Sequence, residues 1–503
     1  MIFRGDMSMV YEAVMFDLDG TLVDTSAIEV WREKRRWREC IQQFHLTRLH
    51  PHVQTLLNDV GDRKIGIVTN APREYAERLL EYHDIRYEAL VSYESDQKHK
   101  PYPDPLFRCA QQMNVRIEKC IYVGNEPSDI AAAKAAGCTS VAYANTYCEI
   151  EKLLVHIPDV IINNFLDLKN MLVEEEVQKN AQKWFEQALE EKRKGNGWQY
   201  FRYLSEASNQ GHALAQYYFA KLLRKNPNLI SEEKNVHDLL WQAAMKMVPE
   251  AICELGKQFE QKNEWEKAKN FYRVAAHMDY APAQYFFAMA KLRSPFSRMK
   301  LHIAYYWLKK CSEKTNKHVP LLNEVEKMMI FEDELKQHFQ YDKEKEIFFI
   351  CNYLPNEKCN DEHSARILGV KSRRKEDIIH FYKKISPFVS NEIVVCSFPS
   401  SDHKNMETGI REIAQLVTKE KGVDGTDCLV RWKSREKSSH GGERNVQSHL
   451  QTLKVVHHEK IKGKHILLLD DVATSGSSLG AGEQLLLEAG ALHVTKFALG
   501  KTK

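Results

Sequence analysis

The chain has 503 residues, enough for three or four domains with cores of their own. Its 72 basic and 69 acidic residues leave a net charge of +3, which does not point to a nucleic-acid coat or a membrane surface and leaves small phosphorylated molecules as the simpler partners. No apolar run reaches membrane-spanning length, strand-like sequence begins by Val14 and leaves no room for a leader, and eleven scattered cysteines suit free thiols, so a cytoplasmic protein is expected.

The first informative segment is Val14-Met15-Phe16-Asp17-Leu18-Asp19-Gly20-Thr21, an apolar strand running into two carboxylates one residue apart. That spacing puts both acids on one side of the emerging chain. One can attack phosphorus while the other handles the leaving-group proton. Three further segments follow: Ile65-Gly66-Ile67-Val68-Thr69-Asn70, Lys100-Pro101, and Ile121-Tyr122-Val123-Gly124-Asn125-Glu126-Pro127-Ser128-Asp129. Together the four resemble, in order, the signatures of the haloacid dehalogenase superfamily. The resemblance implies Asp17 as nucleophile and Mg2+ ligand, and Asp19 as general acid/base that also lends its main-chain carbonyl to the metal. It implies Thr69 and Lys100 as ligands of the transferring phosphoryl group, and Asn125 and Asp129 on the metal side. Asn125 stands where the family has an acid. An amide oxygen ligates without charge, so a weaker metal site is expected, with Glu126 or Asp129 compensating. Lys98 is a poorer phosphate ligand than Lys100 because no proline follows it.

Only about forty residues separate Asp24 from Ile65, too few for a large cap, and an open site is expected. The run Trp31-Arg32-Glu33-Lys34-Arg35-Arg36-Trp37-Arg38 in this insertion reads as a solvated helical face whose tryptophans pack down; the other reading is a grip on a phosphorylated or nucleic-acid substrate.

Residues 178–340 have helical apolar spacing and no strand-like runs. Segments beginning at Ala215, Ala251 and Ala283 align at intervals of thirty-six and thirty-two residues, each preceded by a second aromatic-bearing helix. This resembles tetratricopeptide-like repeats of the Sel type, which stack helix pairs to bury a shared face. Such repeats imply a protein partner, self-association or a spacer role.

Near the carboxyl end, Ile466-Leu467-Leu468-Leu469-Asp470-Asp471-Val472-Ala473-Thr474-Ser475-Gly476-Ser477-Ser478 joins an apolar strand to an acidic pair and a small hydroxyl loop. Loop N–H groups and a helix start there would cradle an anion. The segment resembles the phosphoribosyl-pyrophosphate signature of type I phosphoribosyltransferases. Asp470 and Asp471 would then bind ribose hydroxyls, and Thr474, Ser475, Gly476, Ser477 and Ser478 the 5-phosphate. Ile393 to Ser401 resembles the family's pyrophosphate strand and loop, and Arg444-Asn445-Val446 its orphan, competence-associated branch. Cys351, Cys359 and His363 lack zinc-site spacing and read as thiols and a surface imidazole.

The expected architecture is multidomain. An α/β Rossmann-like phosphatase domain spans residues 1–174, an all-α helical repeat domain 175–342, and an α/β phosphoribosyltransferase domain 343–503. The expected function is a bifunctional enzyme of nucleotide or sugar-phosphate metabolism, joining Mg2+-dependent phosphomonoester hydrolysis to phosphoribosyl transfer or its reversal. The alternative is a nucleotide-sensing regulatory or defence protein whose repeats engage a partner.

Overall fold

The computed structural model describes residues 11–95, 97–173, 175–226, 234–293, 299–354, 361–434 and 445–502. Glu174, Cys359 and Arg444 lie outside the described residues. Packing divides the chain into two compact units, Met1–Ala283 and Gln284–Lys503.

In the first unit, β1 Ala13–Phe16, β2 Lys64–Val68, β3 Ala89–Val91, β4 Cys120–Gly124, β5 Thr139–Tyr143 and β6 Val160–Ile162 form a parallel sheet in the order β3-β2-β1-β4-β5-β6. Their near-continuous apolar sequences suit a sheet covered on both faces. Val14, Phe16, Ile67, Ile121 and Val123 enter one core, while Ala13, Met15, Val68, Cys120 and Tyr122 enter the other. The strand order reverses between β1 and β4, so the crevice beyond their carboxyl ends is the ligand position of this topology. Asp17 and Asn125 are the first residues past those two strands.

The insertion after β1 is small, with helices Glu29–Glu33, Trp37–Gln42 and Val53–Asp59. Downstream of the sheet come helices Glu175–Arg193, Gly197–Asn209, Ala213–Lys225, Lys234–Met245, Pro249–Gln261 and Trp265–His277. Phe185, Leu204, Ala207 and Ala215 bury where the first three meet. The sheet portion and these helices share contacts: the Tyr147 hydroxyl donates to Asp238 at 2.9 Å, and its ring lies 4.8 Å from that of Trp241.

In the second unit, β7 Gln340–Asp342, β8 Ile347–Asn352, β9 Val394–Ser397, β10 Val423–Asp424, β11 His465–Ala473 and β12 His493–Lys501 form a sheet in the order β10-β9-β11-β12-β8-β7. All pairings are parallel except that of β7 with β8. Leu467 and Leu469 face helices Glu362–Lys371, Lys375–Ile385 and Gly409–Glu420, whereas Ile466 and Leu468 face helix Ser477–Glu488. Here the order reverses between β9 and β11.

Helix Val319–His338 sends Phe331 and Leu335 into the core of this sheet, upstream of the boundary expected at residue 342. A helical apolar stripe identifies a buried face, not the surface that buries it. A buried polar network accompanies the packing. Glu483 is fully covered between Lys300 and Lys496, the latter at 2.6 Å. Glu332 meets His493 at 2.8 Å and Thr495 at 3.2 Å. No helix among the described residues is long and apolar enough to cross a membrane.

Candidate functional site

The crevice at the end of β1 and β4 assembles around Asp17. Lys100 Nζ donates to Asp17 Oδ1 at 2.6 Å, to Asp129 Oδ1 at 2.7 Å and to the Tyr122 hydroxyl at 3.0 Å. On the other side, Thr21 Oγ1 lies 3.3 Å from Asp17 Oδ2 and 3.0 Å from Asn125 Oδ1. The tight return of the chain after Asp19 passes through Gly20 at φ +78°, where a Cβ would stand 2.5 Å from Asn125 Nδ2. Only glycine tolerates both the left-handed backbone and that approach.

Burial pushes the Asp17 carboxyl up to about 7, against the pull of Lys100. Burial alone would lower Lys100, but the Asp129 and Asp17 carboxylates outweigh it and hold the ammonium above its usual range. The centre therefore combines a reluctant carboxylate with a firmly charged cation. Asp129 has no free oxygen: Oδ1 accepts from Lys100 and Tyr122, and Oδ2 accepts from the Glu126 amide at 2.9 Å. Thr69 is buried, and its hydroxyl accepts from the Ala71 amide at 3.1 Å. Glu126 is turned to Lys152 at 3.0 Å, and Lys98 to Asp104 at 3.5 Å.

The expected openness is not found. Asp17 and Asp19 are 7% and 8% exposed, because two side chains close over Asp19. Tyr75 donates to Asp19 Oδ1 at 2.6 Å, and Arg32 Nε approaches the same oxygen at 3.1 Å. Trp37 and Phe44 pack their rings on Tyr75 at 5.1 and 5.5 Å. The basic run thus splits: its tryptophans pack inward, Arg36 pairs with Glu39 on the surface, and Arg32 turns into the crevice. Tyr75, Tyr122 and Thr21 also belong to this constellation and were not singled out from sequence. A tyrosine in an apolar strand or helix reads as core, and nothing local marks it otherwise.

A second constellation lies at the end of β9 and β11. β11 continues through both acids to Ala473, since β12 pairs with it as far as Lys501. Asp470 accepts from Ser478 Oγ at 3.0 Å, while burial and the neighbouring Asp471 push its carboxyl up to about 7. Ser475 and Ser477 bond at 2.8 Å across the loop. Gly476, at φ +77°, precedes helix Ser477–Glu488, and a Cβ there would stand 3.0 Å from Ile347 and 3.1 Å from Lys345. Two lysines unmarked by sequence reach this loop: Lys345 donates to the Thr474 carbonyl at 3.3 Å, and Lys371 lies 3.8 Å from Asp471. Across the switch point, Phe398, Pro399, Ser400, Arg411 and Arg431 line a pocket at the carboxyl end of β9. Asn445 caps helix Val446–Leu450 through the Ser448 amide at 2.7 Å.

Among the described residues no group of three or more His, Cys, Asp or Glu side chains is arranged to hold a metal ion, and ten described cysteines are free thiols.

The acids after β1 and the partners around them define the class of the N-terminal region: it carries a haloacid dehalogenase-like hydrolase domain, and residues 28–143 match that family. The chain is 36% identical over 126 residues to phosphoglycolate phosphatase of Salmonella choleraesuis (strain SC-B67) and equally to that of Escherichia coli (strain K12). In both alignments 24% of this chain meets 50% of the relative, so the chain spans about half the length of the curated relatives it matches. Similar solved structures include a predicted phosphoglycolate phosphatase from Haemophilus somnus 129PT, with 19% identity, TM-score 0.28, and coverage of 33% of this chain and 99% of that one. A haloacid dehalogenase-superfamily hydrolase from Ehrlichia chaffeensis gives 18%, 0.26, 33% and 97%.

Proposed function

We propose that the N-terminal domain is a Mg2+-dependent phosphomonoester hydrolase acting through a phosphoaspartate. The observation that carries this reading is Asp17 at the sheet's switch point, bridged by Lys100 to Asp129 and buttressed by Thr21. Asp17 would attack phosphorus, forming an acyl phosphate as the ester P–O bond breaks, and Asp19 would give the leaving oxygen its proton. Water would then add to phosphorus, lose a proton to Asp19 and release inorganic phosphate. Lys100 supplies positive charge beside the phosphoryl oxygens.

The residues suit magnesium. Asp17, the Asn125 amide oxygen and the Asp19 carbonyl would supply an all-oxygen donor set, and a cation beside the buried Asp17 carboxylate would offset its loss of solvent. Magnesium there would neutralise phosphoryl charge. With both oxygens engaged, Asp129 serves as the anchor of Lys100 rather than as a metal ligand. Release of phosphate from 2-phosphoglycolate, the compound named in the relatives' activity, tests the reading with Asp17→Asn as control. Activity that survives this substitution would refute it.

For the C-terminal sheet we infer phosphoribosyl-pyrophosphate binding, giving a bifunctional protein. A specific observation favours it: Asp470, Asp471 and the Ser475-Gly476-Ser477 turn stand at the second switch point, opposite the pocket after β9. The intervening helices would act as a repeat scaffold. Calorimetry of the full chain with phosphoribosyl pyrophosphate and Mg2+ tests this, and the Asp470→Asn, Asp471→Asn double variant should keep anion binding while losing ribose selectivity. Absence of binding at millimolar ligand would remove the transferase reading.

A further inference from the structure

Tyr75 hydrogen-bonds Asp19 Oδ1 and Arg32 Nε stands 3.1 Å from the same oxygen as an ion pair without hydrogen-bond geometry, leaving both Arg32 Nε and Asp19 Oδ2 buried with no hydrogen-bond partner among the described residues. This is an odd posture for a group that must hand over a proton. One oxygen is doubly held, and the other faces nothing that could orient it. The gripping arginine is not itself sealed. Its side chain is 24% exposed against 4% for Asp19, and Nη1 is anchored to Thr25 Oγ1 at 2.9 Å. The arginine side chain is therefore the more accessible member of the pair. Guanidinium groups bind carboxylate or phosphate in forked pairs that are shorter and stronger than single bonds to a shared oxygen.

Resting on the hydrolase reading above, we propose that Arg32 is a substrate-operated latch: a second anionic group on the phosphomonoester draws the guanidinium off Asp19, and the carboxylate, no longer ion-paired, takes up a proton from water and passes it to the leaving oxygen. The substrate class follows. It is a small phosphomonoester carrying a carboxylate or a second phosphate a few bonds from the ester. Apart from the proton that Asp19 takes from water, no atoms enter the chemistry; the latch exchanges one ion pair, Arg32 with Asp19, for another, Arg32 with substrate. The surplus charge of the second anion is what makes the exchange favourable, since Asp19 keeps the Tyr75 hydroxyl as a partner. Arg32 is accordingly a positioning and specificity residue, acting through Asp19.

The test compares 2-phosphoglycolate with 2-hydroxyethyl phosphate, which keeps an alkoxide leaving group and lacks the carboxylate. The full-length protein is assayed with Mg2+, reading kcat and KM separately. For the wild type, kcat should favour phosphoglycolate. In Arg32→Ala the two kcat values should converge from below: that for hydroxyethyl phosphate rises toward that for phosphoglycolate because Asp19 is released, while phosphoglycolate keeps its kcat and its KM rises about 10- to 100-fold with loss of the charge-assisted contact to its carboxylate. Arg32→Gln, which keeps a donor without the charge, should repeat the convergence if the alanine variant is poorly folded by circular dichroism. Three outcomes overturn the inference. Equal losses on both substrates make Arg32 a structural tether. A preference confined to KM makes it a binding group that never restrains Asp19. Hydrolysis of neither substrate by the wild type removes the hydrolase reading itself, and is told apart from the other two by the absence of any phosphate release.

Discussion

Asp17→Asn should stabilise this protein while inactivating the proposed hydrolase, and the effect should depend on pH. The structure supplies the magnitude. Burial raises the Asp17 carboxyl from 3.8 to about 7 even though Lys100 stands 2.6 Å away. That is a rise of roughly three units, and at about 1.36 kcal/mol per unit it amounts to roughly 4 kcal/mol if fully expressed. The sign follows from proton binding. Between pH of about 4 and 7 the unfolded chain has released this proton and the folded chain has not, so stability falls as pH rises through that window and levels above it. Asparagine has no proton to lose. Wild type and variant should unfold at similar temperatures near pH 4, and the variant should be the more stable by a few kcal/mol at pH 8, in EDTA to exclude metal. Thermal unfolding followed by circular dichroism across this range measures the difference. Added Mg2+ should narrow it by stabilising the wild type alone, as any ligand selective for the folded state does. The reasoning fails if Asp17→Asn is less stable than wild type by the same amount at pH 4 and pH 8. In that case the ion pair with Lys100, not burial, governs the carboxylate.

Lys100→Met should act in the opposite direction, leaving the buried Asp17 and Asp129 carboxylates facing each other at a cost of about 3–5 kcal/mol at neutral pH; denaturant titration should show partial recovery near pH 5. Glu483→Gln should be similarly costly, about 3–5 kcal/mol, because it strands two buried ammonium groups, Lys300 and Lys496, around the helix that follows the serine-rich loop. Gly476→Val should destabilise by about 1–3 kcal/mol through its left-handed backbone, with Ile347 and Lys345 already at contact distance from a Cβ, and should abolish phosphoribosyl-pyrophosphate binding in calorimetry.

What the sequence determined by itself was local. In both sheets a buried parallel strand is an apolar run, and residues that end such a run are delivered to the crevice beyond it, so Asp17, Asp19 and Asn125 in one sheet and Asp470 to Ser478 in the other could be read from order along the chain. Contacts across sequence were decided only by the tertiary structure. Arg32 looks like its basic neighbours until the insertion folds and turns one member of the run onto Asp19. Tyr122 reads as an apolar strand residue, yet the pleat that puts it on the face of Met15 also brings its hydroxyl to Lys100 and Asp129. Asp129 looks like a free acid, and its oxygens are used up by partners that neighbour it in space. The division between units escaped composition for the same reason. Helix Val319–His338 shows its apolar stripe in sequence, but the C-terminal strands that cover Phe331 and Leu335 come more than a hundred residues later, and pairing at that separation is set by complementary surfaces rather than by local pattern.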